Sequence, residues 1–247
     1  MLRFGKLAGK LRDALGSVRE LDVWIGKLRT LRESLSDTTE YVPRSTRDAI
    51  REIERLEDRL TRKRDRSGLK LIAKIENRWD DLRSAARDVA KATGDRVDEV
   101  DKGRASKLLS EFGEIAAVFP VFDEGNLHDF RKRIKKVRYV AEICGADPMC
   151  GRIAAQVKKA QDAIGEWHDW HVLAGTAAKG KHVKDVEAVE LLNSMTARTY
   201  KAAIATCDGV LRRMADMERD RDAVLDRLHP LPVRNEVPPK VLMKKFA

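Results

Sequence analysis

Leu127, Phe130, Ile134, Val137, Ala141 and Cys144 follow one another in alternating steps of three and four residues. That step is the period of an α-helix with one buried face, and a strand cannot satisfy it. The interval from Gly125 to Cys144 is therefore expected to be a single helix. Six of the eight residues from Arg131 to Arg138 are basic. At about 100° per residue, His128, Arg131, Lys132, Lys135, Arg138 and Tyr139 fall on the side away from the stripe. The cationic row they form extends about 15 Å along the axis. Self-repulsion makes such a row costly unless water, counter-ions or a polyanion neutralises it.

The same step recurs along most of the chain. Residues 2–15 predict a helix with Leu2, Leu7, Leu11, Ala14 and Leu15 inward. A second follows Gly16 to about Leu35, carrying Val18, Leu21, Ile25, Leu28 and Leu31. Residues 36–45 read as a loop, and Ser45 or Thr46 opens a helix over 46–66 with Ile50, Ile53, Leu56 and Leu60. A break is expected at Ser67-Gly68, after which Leu69, Ile72, Ile75, Trp79, Leu82 and Ala86 continue the pattern to about Ala92. A loop over 93–103 and a helix from about Ala105 to Val118 complete the first half. Beyond the basic helix and a linker over Gly145–Pro148, helices are expected over Met149–Ile164, Glu166–Ala178 and Asp185–Leu228, the last bent near Cys207–Gly209. Four prolines between 230 and 239 make 229–247 a tail.

With 247 residues the chain can bury a sizeable core, and 36% charged residues with 5% aromatics favour amphipathic helices over a sheet. The net charge of +10 and pI near 9.6 point to an anionic partner: nucleic acid, polyphosphate or an acidic membrane. No apolar run is long enough to span a bilayer, and the N-terminus lacks a secretory signal. Three cysteines without CxxC spacing do not make a disulfide framework, so a reducing cytoplasm is expected. Walker loops, dinucleotide fingerprints, nucleophile elbows and paired-Cys zinc sites are absent.

The chain also repeats itself. Residues 13–23, from Asp13-Ala14-Leu15-Gly16 onward, align without gaps on residues 162–172, from Asp162-Ala163-Ile164-Gly165 onward, at a constant offset of 149. Arg3 and Arg152, and Lys10 and Lys159, share this register. Each copy reads as a helix, a tight glycine turn and a second helix, with positive φ at the glycine. Two such copies predict two helical halves related by a pseudo-twofold axis.

Leu127-His128-Asp129-Phe130-Arg131-x-x-x-Lys135-x-x-Arg138-Tyr139 resembles the signature helix of the CHAD family, the conserved histidine α-helical domains. The resemblance implies an all-α, internally duplicated bundle: two four-helix-like halves around a basic central groove that binds inorganic polyphosphate. On this reading residues 1–228 form one domain, with halves over about 1–118 and 125–228. The implied partner is polyphosphate, free or in granules, met in the cytoplasm, with no cofactor and no catalysis. The resemblance further implies a His-bearing basic helix opening each half. None precedes the 2–15 helix, so either the start lies further upstream or that row is degenerate.

Other residues leave alternatives open. His128 could contact phosphate, hydrogen-bond structurally, ligate a metal or act as a base, and its basic neighbours should depress its pKa. His168-Asp169-x-His171 could serve a metal-dependent phosphohydrolase, but its register with Arg19, Glu20 and Asp22 favours a helix-start role. Arg51, Arg55, Arg59 and Arg62 form a row that either pairs with interleaved acids or shares the groove. Arg152, Lys159, Arg3 and Lys10 have fewer acidic neighbours and are expected in the groove. A nucleic-acid-binding helical module remains the principal rival, although base-reading aromatics are scarce.

Overall fold

A computed structural model describes residues 2–36, 44–93, 104–144, 147–179 and 186–228. Among them the chain is helical throughout, without strands: α1 (Leu2–Ser36), α2 (Arg44–Glu76), α3 (Trp79–Thr93), α4 (Arg104–Val118), α5 (Leu127–Ile143), α6 (Pro148–Lys179) and α7 (Val186–Leu228). The all-α expectation holds. The expected tail over 229–247 and most of the two expected loops, at 37–43 and 94–103, lie outside the described residues.

Three helices run through expected breaks. Gly16 and Gly165 lie inside α1 and α6, neither with positive φ, so the expected glycine turns do not exist. α2 likewise passes through Ser67-Gly68, and α7 is a single helix across the bend expected near Cys207–Gly209. A glycine within a helix costs only about 1 kcal/mol relative to alanine, which the packing of a long helix readily offsets. The actual interruption is at Asn77-Arg78, where Arg78 N–H donates to the Ile75 carbonyl at 3.0 Å and separates α2 from α3.

The starts of α5 and α6 follow local chemistry. Before α5, Asp123 and Asn126 exchange side-chain-to-backbone bonds of 2.9 and 3.0 Å, and the Asn126 amide donates to the Val121 carbonyl at 2.8 Å. These bonds hold the entry turn so that Leu127 begins the helix. Asp147 accepts from Met149 N–H at 2.8 Å, and Pro148 occupies the first helical position, where no N–H is needed.

The buried side chains form two clusters. In one, the α5 stripe packs against Leu108, Leu109 and Phe112 of α4, Ile153, Val157 and Ile164 of α6, and Cys207 and Val210 of α7. Phe130 is fully buried at its centre, with Phe112, Phe119 and Phe122 at ring distances of 6.4, 5.4 and 4.8 Å. In the other, Leu21, Leu28 and Leu31 of α1 meet Ile53 and Leu56 of α2. Leu173 at the end of α6 and Leu192 at the start of α7 complete it. α4, expected with the first half, buries its face with α5. α6 and α7 are long enough to serve both clusters, about 48 Å for the 32 residues of α6. Cys144, Cys150 and Cys207 are free and buried. Burial pushes the thiol of Cys150 up to about 11 and that of Cys207 to about 12. Among the described residues no helix is long and apolar enough to cross a membrane.

Candidate anion-binding site

Every member of the α5 stripe is buried: Leu127, Phe130, Ile134, Val137 and Ala141 are inaccessible, and Cys144 nearly so. The basic residues divide differently from the sequence expectation. Arg131 and Arg138 are not opposite the stripe. They flank it, half-buried where α5 meets α6, because each lies only about 40–60° from Ile134 on the helix. Lys135 is half-buried one turn from each, while Lys132 and Tyr139 are exposed.

Both arginines converge on one residue of α6. Arg138 Nη1 donates to Gln161 Oε1 at 2.8 Å, and Arg131 Nε to the Gln161 carbonyl at 3.4 Å. Arg138 Nε also lies 3.0 Å from Glu142 Oε1, though not aligned as a hydrogen bond. Gly165, one turn on, lies beside the Arg131 guanidinium; a methyl group there would stand 3.5 Å from Nη2, an ordinary contact. Gln161 is almost fully buried, and its amide nitrogen has no hydrogen-bond partner.

One end of the row is imidazole. His128 stacks on His168 of α6, ring centroids 5.2 Å apart with planes at 28°. Both histidines are half-buried, and both have pKa values lowered from the ordinary 6.5. Loss of hydration is the larger cause, then the charges of Lys132 and Arg131 on His128, and of His128 and Arg131 on His168. Asp169 is pushed above its ordinary 3.8 by burial, against the opposing pull of Lys27 and Arg131. Lys27 of α1 reaches the same level of α6, with Nζ 2.5 Å from Glu166 and 5.1 Å from the centre of the Trp170 ring.

These contacts correct the helix-start reading of His168-Asp169-x-His171. With α6 continuous through Gly165, His168 shares a face with Gln161 and Gly165, seven and three residues earlier, and turns toward α5. His171 lies against Trp167 instead, at 5.5 Å. Among the described residues no group of three or more His, Cys, Asp or Glu side chains could hold a metal ion.

The other expected site residues are not gathered here. Arg152 and Lys159 are exposed, about 180° and 160° around α6 from Gln161. Lys158 is on the Gln161 side but pairs with Asp162. Arg3 pairs with Asp81 at 2.8 Å, and Lys10 is exposed two turns further along α1. On α2, Arg51 pairs with Asp48 at 3.4 Å and Arg55 with Glu52, whereas Arg59 of the same row has a buried Nη1 without a hydrogen-bond partner. Lys132 pairs with Asp129 at 3.3 Å. Lys135 has no ion pair among the described residues.

Sequence reasoning missed Gln161, His168 and Lys27 as members of the site. Gln161 carried a signal, a polar residue on the apolar stripe of Val157, Ala160 and Ile164. His168 was hidden by the expected turn, which rotated every later residue out of register.

A half-buried Arg-Lys-Arg row on a His-bearing helix, set against a glutamine and a glycine, is accompanied by a match between residues 3–178 and the model of the CHAD domain family. The chain belongs to the CHAD family. The matched stretch takes in α1 to α5 and nearly all of α6, and so includes both sides of this CHAD site. No curated protein and no solved structure matches the chain.

Proposed function

We propose that this CHAD protein binds inorganic polyphosphate without turning it over, along the flank where α5 meets α6. Lys135 carries the reading. It is a half-buried cation between Arg131 and Arg138, with no carboxylate pairing it among the described residues. Three cations within two helical turns repel one another, and a chain of phosphates relieves that repulsion at each step. Arg131 and Arg138 supply planar N–H forks held in place on Gln161, and Lys135 supplies a point charge. His128 and His168 close one end as neutral donors that can take up protons beside an anion. Membership in the CHAD family supports polyphosphate over other anions, and granules in the cytoplasm are where such a ligand would be met. Arg152, Lys159 and Lys10 add to the attractive field from outside the flank.

Competition among long polyphosphate, triphosphate, ATP, RNA and DNA at equal phosphate concentration tests the reading. Long polyphosphate is expected to win, with affinity falling steeply as salt rises. RNA or DNA competing equally would favour the nucleic-acid reading. Orthophosphate released from polyphosphate by the purified protein would overturn the non-enzymatic part.

A further inference from the structure

We propose that the cavity walled by α1, α6 and α7 binds a small organic acid, one carboxylate on an apolar body, at a site separate from the phosphate flank. The cavity measures about 610 Å³, a size typical of small-molecule sites, and both apolar and charged side chains line it. It lies on the far side of α6 from the flank. Glu166 and Trp170, which line it, each stand about 160° around the helix from His168, and His168 faces α5. None of Arg131, Lys135, Arg138 and Gln161 is among its lining residues.

The lining supplies two kinds of contact. Val23, Leu31, Trp170 and Met195 offer apolar walls from three helices. Lys27 is a cation whose side chain is only 11% exposed, with its ammonium 2.5 Å from Glu166 and 5.1 Å from the centre of the Trp170 ring. The Glu166 carboxylate also accepts from Trp170 Nε1–H at 2.9 Å, so it is fixed on both neighbours and holds the ammonium in place. Arg198 of α7 lines the same cavity, exposed and without an ion pair among the described residues. The hydroxyl of Ser34 donates to the Leu31 carbonyl at 2.7 Å, and Thr30 adds a second hydroxyl to the wall.

Charge selects the ligand. Lys27, Glu166 and Arg198 together leave one positive charge, which a single carboxylate neutralises. A polyphosphate would bring a charge at every step against Glu166 and the apolar walls, and an ammonium would meet Arg198 and Lys27. Gly26 keeps the space open. It lies inside α1, where alanine would favour the helix, yet a methyl group there would meet nothing within 4 Å. Packing therefore does not require the glycine, and a large side chain at 26 would enter the cavity.

The full-length chain is titrated calorimetrically with octanoate, butanoate and octylammonium. Octanoate should bind, with octylammonium about tenfold weaker at low salt. Shortening the chain to butanoate should weaken binding about three- to fourfold for each methylene removed. Gly26→Phe should abolish octanoate binding while the melting temperature stays level or rises. Arg198→Glu, at an exposed position, should weaken octanoate about tenfold and turn the preference toward octylammonium; it carries the test should Gly26→Phe fail to fold. Saturating long polyphosphate should leave octanoate binding in place. No binding of octanoate, equal binding of octylammonium, or binding that survives Gly26→Phe in a folded chain overturns the proposal. So does an unchanged preference in Arg198→Glu, or displacement of octanoate by polyphosphate, which would put the acid on the flank.

Discussion

Replacing Lys135 by Glu, with Lys132→Glu as its comparison, separates a defined phosphate row from diffuse attraction to a basic protein. The two lysines are one turn apart and carry the same charge. Lys135 is half-buried between Arg131 and Arg138 and has no ion pair among the described residues, whereas Lys132 is exposed and shares its charge with Asp129. A charge-assisted hydrogen bond at Lys135 contributes about 1.5–3 kcal/mol, so its loss alone weakens binding about 10- to 150-fold. The repulsion of a carboxylate adds to that. At Lys132, exposure and screening limit the interaction to about 1 kcal/mol, a loss of about fivefold or less. Lys135→Glu also places an anion between two arginines, so the melting temperature should stay level or rise. Titration of labelled long polyphosphate at several salt concentrations gives both affinity and slope. Lys135→Ala should flatten the slope by about 0.7, the value for one lost contact on a single-stranded polyanion. Equal losses at the two lysines would refute a row on this flank. Reversal at Arg131 is a poorer test, since its half-buried guanidinium is bonded to the Gln161 carbonyl.

Phe130→Ala removes the centre of an aromatic cluster and should cost about 3–5 kcal/mol in urea unfolding; a loss below about 1 kcal/mol would mean that the cluster does not organise this core. Gly165→Ala should raise the melting temperature, since the methyl group meets Arg131 at an ordinary 3.5 Å and alanine favours a helix by about 1 kcal/mol; strong destabilisation would restore the glycine turn. The depressed histidines make the unfolded chain bind more protons between pH 6.5 and their folded values, so stability of the free protein should fall as pH drops through that window. Asp169, raised above 3.8, acts in the opposite sense at lower pH. Saturating polyphosphate favours the imidazolium forms, so affinity should grow as pH falls below about 6.5, and a pH-independent affinity would remove the histidines from the site. His168→Ala should flatten that pH dependence, whereas His171→Ala, whose ring lies on Trp167, should leave it in place.

The amino-acid sequence alone determined the helical period, and the buried face along α5 and the first half of α2. It did not determine the buried face along the expected stripe from Leu69 to Ala86, where Leu69, Ile72 and Trp79 are exposed. The α5 stripe is buried residue for residue, and Ile53, Leu56 and Leu60 of α2 behave alike. Periodicity reports a local geometry that each helix carries with it, so it is legible before any packing is known. Continuity through glycine was not legible. Gly16, Gly68 and Gly165 each carry a helical cost of about 1 kcal/mol, and only the packing along α1, α2 and α6 decides that this cost is met. Partnership between helices was hidden as well. The register of α6 on α5 sets His168 beside His128 and Gln161 beneath Arg138, and it turns Arg152 and Lys159 away from them. On α1 and α3, the same apolar step that is covered on α6 stays half-exposed at Leu15 and Trp79. A stripe specifies which face seeks cover. What lies on it is decided by the other helices, through contacts between residues far apart in the chain.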